Sequence, residues 1–436
     1  MTARAFDSAA NGSASLLDHA DVVVVGGGIA GSAAAWELAR QGAEVVLVEK
    51  GDVADEQSGR NLGFVRQQLR DPVELPLMIA SIDRWTRLSD DLEAEIEWVG
   101  GGNLALAKDD TVLAAYRTWV DGAKDYNLTS EIINDAEVRA LLPGIAGEWA
   151  GGLFTPGDGQ ADPVRTTKAF ANAAVREGAR LRTQCTAKRV HVQDGRVTGV
   201  ETSQGFVGAR TVVCAAGIWT TRLLATCGVV LPQRVMRSTL TQTNPVERLT
   251  DAAVVAGGGT YFRQAASGSL LISDGKAAID VTPDTFKHMR MFLPMYLANR
   301  SRFRPRLGWQ VLSPAVRRRL AAYDLGEPEV DQRVVRSSLA SLERLFPRLG
   351  RLQATRTWAG RIEGTPDALP VIDALRDPQG LIVVTGQSNH GFALGPIFGA
   401  VVADLITQGR SSFDLHPFRL SRFAEGAYGR PRSLIA

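Results

Sequence analysis

The sequence predicts an α/β fold in two interleaved parts, and three observations carry that prediction. The stretch Asp21 to Glu49 reads in order as a strand, a glycine turn, a helix and a second strand. Val235 to Thr243 and Gly257 to Ser273 instead have the pattern of strands in an antiparallel sheet. At 436 residues the chain also exceeds what one hydrophobic core usually serves, so two domains or one elaborated domain are expected.

The first stretch is a dinucleotide grip of Rossmann type. Val22 to Val25 form a continuous β-branched run, as a parallel strand buried on both faces requires. Gly26, Gly28 and Gly31 follow with the spacing G-x-G-x-x-G. Gly26 makes the tight turn, Gly28 admits a pyrophosphate close to the backbone, and Gly31 lets the helix pack on the strand. The phosphates would meet NH groups near Ile29 and Ala30 at the helix N-terminus. Ala33, Ala34, Trp36, Leu38 and Ala39 continue the helix, Gly42 ends it, and Val45 to Val48 form the next strand. Glu49, followed by Lys50, closes that strand. A carboxylate there accepts hydrogen bonds from an adenosine ribose and repels a 2′-phosphate, which disfavours NADP.

Composition excludes rather than selects. A net charge of +2 singles out neither nucleic acid nor membrane as a partner. Cys185, Cys214 and Cys227 lack metal or C-x-x-C spacing and read as core thiols. His19, His191, His288 and His416 share no metal-ligand spacing, so no metal is expected. Residues 1–20 read as a flexible polar tail without an apolar leader, and no segment is long enough to span a bilayer, so a soluble, cytoplasmic protein is expected.

After Lys50 comes a glycine-punctuated loop containing Ser58, Gly59, Arg60, Asn61 and Leu62, which turns into a helix near Pro72. Small residues and NH donors suit phosphate contacts, and Arg60 can neutralise pyrophosphate charge. Arg66, Gln67, Gln68 and Arg70 follow as a polar cluster. Leu75 to Leu92 and Thr111 to Tyr126 have helical spacing, and Trp98 to Ala107 reads as a strand. Asp162-Pro163 starts a helix over Val164 to Glu177, and strands follow at Arg180 to Thr186, Arg189 to Val192 and Val197 to Thr202. Thr211 to Gly217 is a buried strand whose Ala215 and Gly217 let backbone pass close to a cofactor, and Trp219 begins the next helix. Thr285 to Tyr323 has no acidic residue but a run of Lys and Arg from Lys287 to Arg319, interleaved with Met and Leu. Such a basic amphipathic insertion fits an anionic membrane, a partner, a lid or a subunit interface.

Together these motifs resemble the D-amino-acid oxidase superfamily of FAD-dependent oxidoreductases, the group holding glycine oxidase, sarcosine oxidase and gamma-glutamylputrescine oxidase. The likeness rests on the glycine turn, Ser58 to Gly63, Val212 to Trp219, Trp358 to Ile372 and Gly380 to Ile406. It implies a glutathione-reductase-like FAD-binding domain from residues 21–80, 155–230 and 355–420. An α+β substrate domain built on an antiparallel sheet would come from 81–154 and 231–354, with the insertion at 285–323. The strand holding Ala187 would pass the adenine, and Gly360 and Arg361 would lie against the flavin ring. Gly386, Asn389, His390, Gly391 and Phe392 would surround the flavin pyrimidine, with the following helix N-terminus stabilising negative charge on the reduced ring.

The implied chemistry is oxidation of a carbon–nitrogen bond. A neutral amine gives hydride from its α-carbon to FAD, the imine hydrolyses, and oxygen or another acceptor reoxidises the cofactor. A single G-x-G-x-x-G makes a second nicotinamide site unexpected. Ile362 stands where amino-acid oxidases carry a carboxylate-binding arginine, and Ala393 where sarcosine oxidases carry a lysine. Arg66 matches an arginine kept beside the second flavin segment and is the expected anion anchor. Gln67, Arg70 and Tyr261 are further candidates, and His390 would polarise the flavin or contact substrate. Gly360 replaces the flavin-linking cysteine and no histidine follows Glu49 in the second segment, so FAD is expected to be noncovalent. Leu271 stands where sarcosine oxidases place a lysine that assists oxygen, which tilts toward a dehydrogenase. The alternatives are the FAD subunit of a hetero-oligomeric amine or opine dehydrogenase, an RNA-linked flavoprotein and a plain NAD dehydrogenase. Sparse aromatics in the insertion (Tyr296, Phe303, Trp309) count against RNA.

Overall fold

The structure is a computed structural model that describes residues 19–257, 259–281, 287–307 and 324–429. The expected tail, up to residue 18, and Trp309, Arg317, Arg318 and Arg319 of the insertion lie outside the described residues.

His19–Val25 lies at the centre of an eight-stranded sheet. Val45–Val48 and then Arg180–Arg182 lie parallel on one side of it, and Gly205–Cys214 and then Leu381–Thr385 lie parallel on the other. Val371–Ala374 closes that edge antiparallel, and the hairpin of Ala187–Gln193 and Arg196–Thr202 folds onto Gly205–Cys214. The uninterrupted valine run has a direct cause. Val22 and Val24 pack into the hydrophobic cluster on one face of the sheet, Val23 and Val25 into the cluster on the other. The alanine-rich helix Ile29–Arg40 is buried along nearly its whole length, between the helices Pro163–Arg176 and Gly391–Thr407.

A second, ten-stranded sheet is mostly antiparallel. Its long pair is Arg234–Pro245 with Ala354–Gly364, and Thr260–Gln264 and Ser269–Ser273 form its inner hairpin. Some expected elements shift. Leu75 to Leu92 divides into the helices Leu75–Trp85 and Leu88–Asp91. The strand expected from Trp98 starts only at Asn103, because Val99 bridges instead to Gln160. The helix Gln332–Leu345 packs beside this sheet, capped at its start by the Asp331 side chain, which accepts the NH of Arg333.

The described part of the insertion folds back on the second sheet. Helix Met289–Ala298 buries Phe292 and Met295 against Met236 and Ile279, leaving Leu293 and Leu297 exposed. The basic run is partly neutralised from outside itself: Arg304 pairs with Asp331 at 3.5 Å and Arg306 with Glu329 at 3.0 Å. Among the described residues, no helix is long and apolar enough to cross a membrane.

Candidate active site

Two clefts of about 860 and 1080 Å³ open side by side between the sheets. They share the walls Ile29, Gln57, Ser58, Arg361 and Gln387, so they form one elongated trough.

The first cleft is built around the glycine turn. Gly26 has φ +112°, and a Cβ there would overlap the carbonyl oxygen of Ala215; a Cβ on Gly31 would overlap that of Gly26. Only glycines let strand and helix approach this closely. Gly26, Gly28, Ile29, Ala30, Glu49, Lys50, Ser58, Ala187, Ala215, Gly217 and Trp219 all line this cleft, whereas Gly31 and Gly59 lie behind it and shape its turns. Glu49 accepts the NH of Gly27 and of Gly51, each at 2.7 Å, which fixes its carboxylate at the strand end. Burial pushes its pKa up while those bonds pull it down. The Ser58 hydroxyl accepts the NH of Ile29 at 3.0 Å and ties the second loop to the turn. Asn61 holds that loop by accepting the NH of Gly63 at 2.8 Å and donating to the Ser58 carbonyl at 2.8 Å.

Arg60 is placed differently from the expectation. Its guanidinium forks onto Glu327 at 2.6 and 2.9 Å and lines the second cleft, away from the glycine turn.

The second cleft is lined by Arg66, Arg70, Tyr261, Lys276, Ile362, Asn389, Gly391 and Phe392, with Leu62 and Gly360. Among the described residues, no Asp or Glu lines it. Arg66 and Arg70 are each only 5% exposed. Burial lowers both pKa values, that of Arg70 to about 9, and Arg66 lowers Arg70 further. Burial raises the pKa of Tyr261, and Arg302 of the insertion donates to its hydroxyl at 3.4 Å. Ile362 adds an apolar wall, packed against the cluster of Met236 and Phe292.

Gln67, Gly386 and His390 line neither cleft. Gln67 gives its backbone NH to Asp158. Gly386 gives its NH to Glu363 at 3.0 Å. His390 is buried with Nδ1 at 3.0 Å from Glu74; burial, then the charge of Arg70, pulls its pKa down against the pull of Glu74. Ala393 also lies away from the cleft, its carbonyl accepting from Ser81 at 2.6 Å and from the Trp85 indole at 2.9 Å.

Sequence reasoning missed Asp158, Glu363, Lys276 and Arg302, all joined to the site only by long-range folding. The one available signal was Asp158, a carboxylate in a Gly-Asp-Gly turn before the helix at Pro163.

The trough fits an extended dinucleotide cofactor such as FAD. Its first cleft has the closed glycine turn and the strand-end carboxylate, and its second has the Gly391 helix N-terminus in the wall. Among the described residues, no cysteine or histidine lines either cleft.

The family described as FAD dependent oxidoreductase (DAO) matches residues 21–405. The chain is 26% identical to glycine oxidase of Geobacillus kaustophilus, over 92% of this chain and 97% of that protein. It is 25% identical to human mitochondrial sarcosine dehydrogenase over 95% of this chain, but spans only 42% of that longer protein. The solved structure of L-amino acid deaminase from Proteus vulgaris superposes with a TM-score of 0.86 at 26% identity, covering 93% of this chain and 97% of that one.

Proposed function

The chain belongs to the FAD dependent oxidoreductase family, and on that premise we propose that it oxidises the carbon–nitrogen bond of an amino acid or related carboxylate-bearing amine. The observation that carries this reading is the second cleft, where two buried arginines and, among the described residues, no Asp or Glu line the space next to the dinucleotide grip. Guanidinium groups in the wall of the cleft can bind a substrate carboxylate through charge-assisted hydrogen bonds.

The Gly26–Ala30 turn, Glu49 and Ala187 would hold the adenosine diphosphate half of FAD. Gly360, Asn389, Gly391 and Phe392 would hold the flavin half. When bound, FAD supplies the two-electron acceptor. Arg66 and Arg70 bind the carboxylate and so fix the orientation of the α-carbon. Their positive charge also disfavours an ammonium beside them and holds the substrate amine neutral, the form that can give up hydride. Tyr261 closes the same wall, and Ile362 with Leu240 excludes water from the reacting end. Loss of hydride and a proton converts the amine to an imine, and water then releases the carbonyl product and the amine.

Anaerobic bleaching of the flavin band by D- and L-amino acids, N-methyl amino acids, opines and polyamines tests this. Bleaching by one carboxylate-bearing class is expected; a yellow protein that none of them bleaches contradicts it. A second reading concerns the electron acceptor. Leu293 and Leu297 lie exposed beside Lys287, Arg290 and Arg300, which suits transfer to a partner or membrane acceptor. Slow reoxidation on readmitting air supports this dehydrogenase reading, and rapid reoxidation removes it.

A further inference from the structure

We propose that Asp158 is a positioning residue for substrate-carboxylate recognition, pinning from behind the turn that aims Arg66 and Arg70 into the second cleft. The inference rests on the reading of those arginines as the anion anchor.

Asp158 is fully buried in the connection between the strands Gly151–Thr155 and Gly159–Gln160, and it lines neither cleft. Its two carboxylate oxygens take two successive backbone NH groups: Oδ1 accepts from Gln67 at 2.9 Å and Oδ2 from Gln68 at 3.2 Å. The next residue, Leu69, has φ +57°. A left-handed conformation costs a residue with a Cβ roughly 1–2 kcal/mol, so this turn persists only because its surroundings hold it. Arg70 follows directly; its Nε donates to the Arg66 carbonyl at 3.3 Å, and its own carbonyl accepts from the Trp119 indole at 2.9 Å. Both guanidinium groups therefore leave one strained turn toward the cleft, while the carboxylate holds its far side.

Gln68 secures the turn in a second direction, its amide donating to the carbonyls of Asn103 at 2.9 Å and Leu153 at 3.0 Å. That amide is indifferent to pH, whereas Asp158 is not. Burial pushes the Asp158 pKa up to about 7, against the pull of the two NH groups and of the charges of Arg66 and Arg70, the charged groups facing it. The ionised carboxylate accepts both NH groups. A protonated acid, or an amide, turns a donor toward one of them and loses that bond.

The test uses the FAD-loaded protein and acetate, a carboxylate with no amine to oxidise, followed by perturbation of the flavin absorbance. Asp158→Asn is expected to keep its FAD, to bind acetate about tenfold more weakly, the loss of about one hydrogen bond, and to raise KM with kcat changed less than about twofold. In the unmodified protein, acetate affinity is expected to fall as pH drops through about 7, with Arg70 charged throughout; in Asp158→Asn this step is absent. Unchanged acetate affinity, KM and pH profile in Asp158→Asn overturn the proposal. Should that variant lose its FAD, the unmodified protein decides: a flat acetate profile through pH 7 overturns it, and a step supports it. An unmodified protein that no carboxylate perturbs overturns the anchor reading itself, and this inference with it.

Discussion

The two halves of the trough are built by different means. The first cleft is made by backbone: a turn of glycines, a strand-end carboxylate and small residues at Ala187, Ala215 and Gly217. The second is made by side chains drawn from the ten-stranded sheet and from the segments after Lys50 and Thr385, with Arg66 and Arg70 at its charged wall. A site made by backbone admits one ligand shape and tolerates no added atom. A site made by side chains can change its ligand without changing the fold. The same division explains why a cofactor grip can persist while Ile362 and Ala393 replace basic residues that the resemblance led one to expect.

Substitutions can break this contrast in order of size. Gly31→Ala would press a methyl onto the Gly26 carbonyl; overpacking of about 1–3 kcal/mol or more is expected, with FAD lost on purification and all activity with it. Gly42→Ala is the control: it meets nothing within 4 Å, so despite its φ of +86° the flavin absorbance should be retained. Arg66→Met is next. Loss of one charge-assisted hydrogen-bonding group is worth about 1.5–3 kcal/mol, so KM should rise roughly 10- to 150-fold while the flavin spectrum stays intact. If Arg66→Met lost FAD instead, the two halves would not be separable. Glu49→Gln should weaken FAD about tenfold, read as the dissociation constant of the apoprotein, with kcat unchanged at saturating FAD.

His390 is expected to act on stability more than on turnover. His390→Leu should leave kcat within about twofold but lower stability by about 1–3 kcal/mol, because buried Glu74 loses its partner. The folded-state pKa of His390 lies below its ordinary 6.5, so the unfolded chain binds the extra proton. Its contribution is present above pH 6.5 and is lost as pH falls below it, so thermal melts across that range should show a smaller acid-side drop in His390→Leu.

Legibility in the sequence follows the same line. The glycine turn, its strands and Glu49 are local, so spacing alone exposes them, and even the two-sided burial of Val22 to Val25 follows from composition. Arg66, Arg70 and Tyr261 were legible as candidates, and the fold brings them to one wall. What stayed hidden depends on distant pairings. Arg60 looked free for a pyrophosphate until Glu327, 267 residues away, took its fork. Asp158 meets Gln67 across 91 residues, and Glu363 meets Gly386 only when the last strand is in place. His390 sits in a glycine motif, but its side chain turns to Glu74 across 316 residues. The basic run from Lys287 suggested a free cationic surface, yet Asp331 and Glu329 neutralise part of it and Arg302 turns inward to Tyr261.

The most direct measurement is anaerobic titration of the FAD-loaded protein with matched amines that differ only in a carboxylate, for example each N-methyl amino acid against its decarboxylated counterpart. If Arg66 and Arg70 form the substrate anchor, the carboxylated member of an active pair bleaches the flavin and its counterpart does so only at far higher concentration. Equal bleaching by both members would show that the carboxylate is not read and would contradict the assignment of the second cleft.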